Sequence, residues 1–210
     1  MEKLYVQYGC GLCAPKEWIN FDASPTLRIQ KLPLIENILP RNVTFPANVI
    51  YGDIISGLPV NSGSCDGVYC SHTLEHLSLT DFRKALKNTH DILKPGGIFR
   101  CIVPDLEYSA RQYISALDNG EGNTASITFM SETLLGLTER PRGVKNILSN
   151  LMGNANHLSM WDSASLIYEL KNVGFRNVRN CTYDDSGDVM FKYVEDPSRF
   201  INSAAVHCVK

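Results

Sequence analysis

Leu4-Tyr5-Val6-Gln7-Tyr8-Gly9-Cys10-Gly11 is a short apolar strand that runs straight into a glycine turn. Glycines at such a point let the backbone turn tightly and approach a ligand closely. Alone, a Gly-x-Gly is also what an ordinary turn looks like. The residues that follow say more. Trp18-Ile19-Asn20-Phe21-Asp22 reads as a second strand ending in an acid, and an acid at that tip is placed to hold two ribose hydroxyls. In a dinucleotide fold the acid follows a full helix whose N-terminus holds a pyrophosphate. Leu12–Lys16 is too short to supply one. A nucleoside without phosphate is therefore the better-served ligand, although the same shortness makes the first crossover atypical for parallel strands.

Outward from this unit, strands alternate with helices, the pattern of a parallel sheet covered on both faces. Strand candidates are Leu4–Tyr8, Trp18–Phe21, Asn48–Tyr51, Gly67–Cys70 and Ile98–Val103, with two later ones near Asn177–Tyr183 and Ala204–Val209. The clearest helix is Thr80–Leu93, where Leu79, Phe82, Leu86, Ile92 and Leu93 recur at helical spacing before Pro95-Gly96-Gly97. A second helix is expected over Ser163–Val173, ended by Gly174. Residues 24–47 hold four prolines and allow at most a short helix near Leu32–Leu39. Residues 107–156 read as a helical insertion shaping a substrate pocket. The expected fold is thus α/β and doubly wound, a single domain over residues 1–210.

Composition bounds the partners. The formal net charge is -2, which disfavours a phosphate-backbone partner, so no nucleic acid is expected. No apolar run reaches the roughly 18 residues of a membrane span, and Met1–Val6 does not resemble a secretory signal. A cytoplasmic protein is expected. The seven cysteines are an odd number and several lie in apolar strands, which points to buried free thiols.

Three further stretches carry chemistry. Tyr51-Gly52-Asp53-Ile54 ends a strand where Asp53 and the backbone beside it can reach an adenine amino group, or where Asp53 merely makes a turn. Ser71-His72-Thr73-Leu74-Glu75-His76 leaves the fourth strand and contains the zinc-hydrolase pattern His-x-x-Glu-His. That chemistry needs both histidines on one helix face and a third ligand on a later helix. Here the first histidine leaves a strand, so no metal is expected. Cys10-Gly-Leu-Cys13 has no second pair, and Cys10 sits where the loop needs a small residue, so a redox or zinc role is set aside.

Taken in order, Gly9-Cys10-Gly11, Trp18–Asp22, Ser71–His76 and Leu93-Lys94-Pro95-Gly96-Gly97 resemble the Rossmann-like S-adenosylmethionine-dependent methyltransferases. The likeness is to the branch found with polysaccharide and cell-surface glycan genes. It covers residues 4–105 well, with a weaker match from His157–Asp162 to Gly174-Phe175. The resemblance implies a seven-stranded sheet whose last strand is antiparallel, S-adenosylmethionine as cofactor and S-adenosylhomocysteine as product. It implies methionine over Gly9, Cys10 and Gly11, ribose on Asp22, adenine near Asp53 and Ile54, and the sulfonium close to Ser71 and His72. Gln7 stands where the family carries an acid, and Cys13 where it carries a third glycine. Gln7 can still bond the cofactor amine without neutralising it. These departures leave a non-catalytic, cofactor-binding scaffold as the second reading.

Methyl transfer from a sulfonium is an in-line displacement in which alignment is the main requirement. An oxygen or nitrogen acceptor also benefits from a general base. His157, placed after the insertion and before a helix, is the first candidate, followed by His72 and Asp105. The acceptor is expected to be a small molecule or a glycan. Tyr108, Arg111 and Tyr113 either face a sugar or belong to an ordinary amphipathic helix.

Overall fold

The computed structural model describes residues 3–31, 44–136 and 156–210. Strands β1 (Tyr5–Tyr8), β2 (Ile19–Asp22), β3 (Val49–Tyr51), β4 (Cys65–Ser71), β5 (Leu93–Pro104), β6 (Arg176–Asn180) and β7 (Ser203–Val209) form one sheet in the order β3-β2-β1-β4-β5-β7-β6. β1 to β5 are parallel, and β7 runs antiparallel to β5 and β6. This is the expected seven-stranded, mostly parallel arrangement. The chain order reverses between β1 and β4, so the loops leaving these two strands flank the crevice where open α/β sheets bind ligands.

Side chains alternate across the sheet with period two. Val6, Tyr8, Val68, Cys70, Cys101 and Val103 face one layer, and Tyr5, Tyr69, Ile102 and Ala205 the other. Helices α2 (Leu79–Ile92) and α5 (Ser163–Val173) cover the first layer. α2 starts one residue ahead of the expected Thr80, with Ser78 as its cap accepting from the Asp81 amide, and Phe82, Ala85, Leu86, Thr89 and Ile92 form its buried stripe. Asp162 and Ser165 close a capping box on α5, and Gly174 ends it at φ 113°. Arg83 clamps Glu169 with bonds of 2.9 and 2.6 Å and ties the two helices together. Each large side chain fully buried in this layer contributes about 1.5–3 kcal/mol.

The second layer is covered differently. The segment 181–200, with 3₁₀ turns at Val189–Tyr193 and Pro197–Phe200, packs Phe191 against Tyr5, Trp18 and Tyr69. Tyr5 donates to Asp188 at 2.6 Å, and the Trp18 indole donates to the Met190 carbonyl at 3.0 Å. Both polar tips of these aromatics are satisfied while their rings stay buried.

β1 and β2 are joined by turns rather than a helix, as the shortness of Leu12–Lys16 requires. A short helix, α1 (Pro25–Gln30), forms earlier than expected because Pro25 at its first position suits the fixed φ of proline. The expected helix near Leu32–Leu39 lies outside the described residues. The insertion begins with α3 (Leu106–Asp118) and α4 (Gly122–Glu132), which meet through Tyr113 and Phe129 at 5.8 Å. Its residues 137–155 also lie outside the described residues. All seven cysteines are free thiols, six of them buried, with Cys13 exposed. Among the described residues no helix is long and apolar enough to cross a membrane.

Candidate active site

A cavity of about 1120 Å³ opens at the C-terminal ends of β1, β2 and β4. All nine residues expected to hold a cofactor line it: Gln7, Gly9, Cys10, Gly11, Asp22, Asp53, Ile54, Ser71 and His72. Gly9 has φ +63°, and a Cβ there would lie 2.0 Å from the Thr73 hydroxyl oxygen. The loop after β1 and the loop after β4 therefore touch, and only glycine permits that contact. Gly11 also has a positive φ, but the space beside it is open. Its amide donates to Asp22 Oδ2 at 2.9 Å, while Asp22 Oδ1 accepts from the Ser24 amide at 2.7 Å. Each carboxylate oxygen keeps a further lone pair for a hydroxyl.

Gln7 has a mainly local task. Its amide nitrogen donates to the Cys13 carbonyl at 2.7 Å and to Asn20 Oδ1 at 2.6 Å, and so holds the shape of the glycine loop. Asp53 accepts from the Ile55 amide at 2.8 Å and from the Ser56 hydroxyl at 3.3 Å, a turn at the cavity rim. Burial pushes the Cys10 thiol up to about 12, which removes the nucleophilic thiolate a redox pair needs.

The exit from β4 builds the opposite wall. The Tyr69 and Ser71 hydroxyls are buried without a hydrogen-bond partner among the described residues. His72 takes φ +50°, and its Nε2 lies 3.1 Å from the Arg199 carbonyl, to which it donates. Its Nδ1 stands 3.7 Å from Glu75 Oε1. Burial lowers the His72 pKa, so the ring is neutral near pH 7. Leu74–His76 is a single 3₁₀ turn, not a helix, so the zinc-hydrolase arrangement of His72 and His76 on one helix face does not form. Within that turn the Glu75 side chain is only 1% exposed, and burial pushes its carboxyl up to about 7.

Asp105 and His157 do not line the cavity. Asp105 caps α3 by accepting from the Glu107 amide at 2.9 Å, and it bridges to Trp161. His157 is buried behind His76, ring centres 5.0 Å apart. The segment holding His157 is stitched to the 3₁₀ turn, where the Leu158 and Ser159 amides both donate to the Glu75 carbonyl, at 2.9 and 3.0 Å. Trp161 then stacks on Phe82 at 4.0 Å. Tyr108, Arg111 and Tyr113 also lie off the cavity, and Arg111 pairs with Glu107 on the same helix at 2.5 Å. The amphipathic-helix reading of that trio fits the structure.

Sequence reasoning missed Tyr69, Thr73, Tyr193 and Arg199, which all line the cavity. Tyr69 carried a signal, since strand alternation sets it opposite Val68 and Cys70. Tyr193 and Arg199 carried none, because they reach the site only through the long-range packing of segment 181–200.

Comparison with known proteins agrees with this geometry. A methyltransferase-domain family model matches residues 7–101, from the glycine loop into β5. No curated protein matches the sequence. Among solved structures, the chain is similar to an S-adenosylmethionine-dependent methyltransferase of Thermotoga maritima at a TM-score of 0.53 and 16% identity, over 100% of this chain and 83% of that one. It is similar to another from Mesorhizobium loti at a TM-score of 0.51 and 13% identity, over 99% and 90% of the two chains. At such identities the likeness to these structures is one of fold. Residues 7–101 thus match a methyltransferase domain, and the chain has the fold of S-adenosylmethionine-dependent methyltransferases of the class I, Rossmann-like type.

Proposed function

We propose that the enzyme methylates a hydroxyl-bearing small molecule or a sugar unit of a glycan, with His72 taking the acceptor proton. The observation that carries this reading is the polar wall left by β4. Two buried hydroxyls without hydrogen-bond partners among the described residues, Tyr69 and Ser71, stand beside a neutral imidazole on the same cavity.

The residues present fit the cofactor. Gly11 leaves open space at the loop, and Asp22 keeps two lone pairs toward the cavity. When bound, S-adenosylmethionine supplies an electrophilic methyl group on a sulfonium. The chain's own part is to hold the acceptor in line with that group and to keep water away. Burial keeps His72 unprotonated, which suits a base acting on an acceptor hydroxyl. Among the described residues Arg199 is the only lysine or arginine lining the cavity, so an anionic group on the acceptor has a place to dock. Membership of a surface-glycan branch belongs to this same proposal.

The test is methyl transfer from radiolabelled S-adenosylmethionine to a panel of sugars, nucleotide sugars and small amines. Turnover with sugars, and a His72→Ala variant that loses kcat while keeping its affinity for S-adenosylhomocysteine, supports the reading. Turnover confined to amines, or a fully active His72→Ala variant, removes it.

A further inference from the structure

Glu75, His76 and His157 bring one carboxylate and two imidazoles together, with one donor atom of each within 4.8 Å of the others. Both Glu75 oxygens and His157 Nδ1 are buried without a hydrogen-bond partner among the described residues. Burying such groups unpaired is costly, and more so for a charge. A cluster of three unpaired acceptors on one spot calls for a shared cationic partner.

The histidine tautomers point the same way. His76 Nδ1 lies 3.1 Å from the Asn156 carbonyl and donates to it, which leaves the lone pair on Nε2, 4.0 Å from Glu75 Oε1. His157 Nδ1 is buried and has no partner among the described residues, so its lone pair is unspent. His76 thus spends one N–H on a backbone carbonyl and keeps its bare nitrogen on the Glu75 side. Metal-binding histidines are oriented in this way, by a carbonyl that fixes the tautomer. The Asn156 carbonyl belongs to the segment docked on the 3₁₀ turn, where the Leu158 and Ser159 amides meet the Glu75 carbonyl, and the His157 amide donates to the Leu134 carbonyl.

We propose that Glu75, His76 and His157 form a binding site for one divalent first-row transition-metal ion of the zinc type. Two imidazole nitrogens and a carboxylate oxygen are borderline ligands that suit such ions better than calcium or magnesium. Ligand bonds of about 2.0–2.2 Å set the donors around one ion roughly 3–4 Å apart, so a small inward rotation of the side chains closes the site. Three protein ligands leave at least one open position, and His76 also lines the cavity. The site differs from the zinc-hydrolase pattern, because His72 points to the Arg199 carbonyl and His157 comes from a segment far along the chain.

The experiment is calorimetric titration of chelator-treated, dialysed full-length protein with Zn²⁺, repeated on Glu75→Gln, His157→Gln and Cys13→Ser. We expect one ion per chain in the wild type and in Cys13→Ser. In the other two variants affinity should fall by more than the roughly 10–100-fold that loss of a supporting partner costs. Co²⁺ absorption of the wild type gives a measure that needs no variant: ligand-field bands without thiolate charge transfer are expected. Absence of zinc binding overturns the proposal. So does binding that survives in folded Glu75→Gln and His157→Gln, or binding that Cys13→Ser abolishes.

Discussion

Arg100 and Glu195 form an ion pair of 2.5 Å in which neither side chain has any exposure to solvent. Arg100 sits in the middle of β5, and Glu195 belongs to the segment that walls the cavity. The guanidinium also reaches Asp185 at 2.6 Å and the Thr182 carbonyl at 2.7 Å, so a single strand residue anchors the wall at three points. Removing Glu195 takes from the buried guanidinium its one fully buried counter-charge and leaves it Asp185 and the Thr182 carbonyl. Glu195→Ala should therefore lower unfolding free energy by about 3–5 kcal/mol, while Arg100→Met with Glu195→Leu should recover much of that loss. Urea denaturation of the three proteins measures it. A double variant no more stable than the single one would show that the pair matters for more than its stranded charge.

Gly9 and Gly11 share a positive φ and differ in their surroundings. A Cβ at Gly9 meets Thr73, whereas one at Gly11 meets nothing within 4 Å. Gly11→Ala should cost only the backbone strain of about 1–2 kcal/mol. Gly9→Ala adds a clash that forces the two cavity loops apart, and should weaken S-adenosylhomocysteine binding as well as stability. Pairing it with Thr73→Ala should return part of both. Equal losses in the two alanine variants would mean that Thr73 moves aside freely.

How much of this was legible in sequence follows from the range over which each residue acts. β1 and β2 were readable because alternation and terminal Gly or Asp are local signals, and Asp22 falls where the local pattern places it. His72 and Ser71 were readable for the same reason, since they leave β4. The role of Gln7 was not, because its partner Asn20 lies on the next strand and faces it only once β1 and β2 are in register. His157 was picked out for its position after the insertion, yet the structure sets it against Glu75 and His76 instead of on the cavity. Nothing local announces that the Leu158 and Ser159 amides will settle on the Glu75 carbonyl. The cover of the second layer was equally hidden. Phe191 is one aromatic in a stretch with no helical or strand period, and only Tyr5, Trp18 and Tyr69 make it a core residue.

Asp22 joins the glycine loop to the tip of β2 on the cavity. Its oxygens already take the Gly11 and Ser24 amides, so Asp22→Ala removes the proposed ribose acceptor and loosens the loop together. The expected cost in S-adenosylhomocysteine affinity is about 1.5–3 kcal/mol, the range for hydrogen bonds to a charged group, or roughly 10–150-fold. Asp22→Asn keeps the shape and one acceptor, and should lose less. Calorimetric titration with S-adenosylhomocysteine, with NAD as control, reads both. Unchanged affinity in Asp22→Ala would place the ribose elsewhere.

His207 gives the fold a dependence on pH that can be signed. It lies opposite Arg100 in the β5–β7 ladder, and Arg100 Nη1 stands 3.4 Å from its Nδ1. Burial, reinforced by the Arg179 and Arg100 charges, pulls its pKa from 6.5 down to about 4. The unfolded chain, with the ordinary value, binds more protons than the native state between those two limits. His207 therefore favours folding fully above about pH 6.5, and that contribution is lost progressively as pH falls toward 4. His207→Gln cannot protonate, so its melting temperature should fall less than the wild type's between pH 7 and pH 5. The difference between the two proteins isolates this residue, because Glu75 and the other carboxyls titrate alike in both. Parallel melting curves across that range would mean that His207 is free to protonate in the folded protein, and that the Arg100 cluster tolerates a third cation.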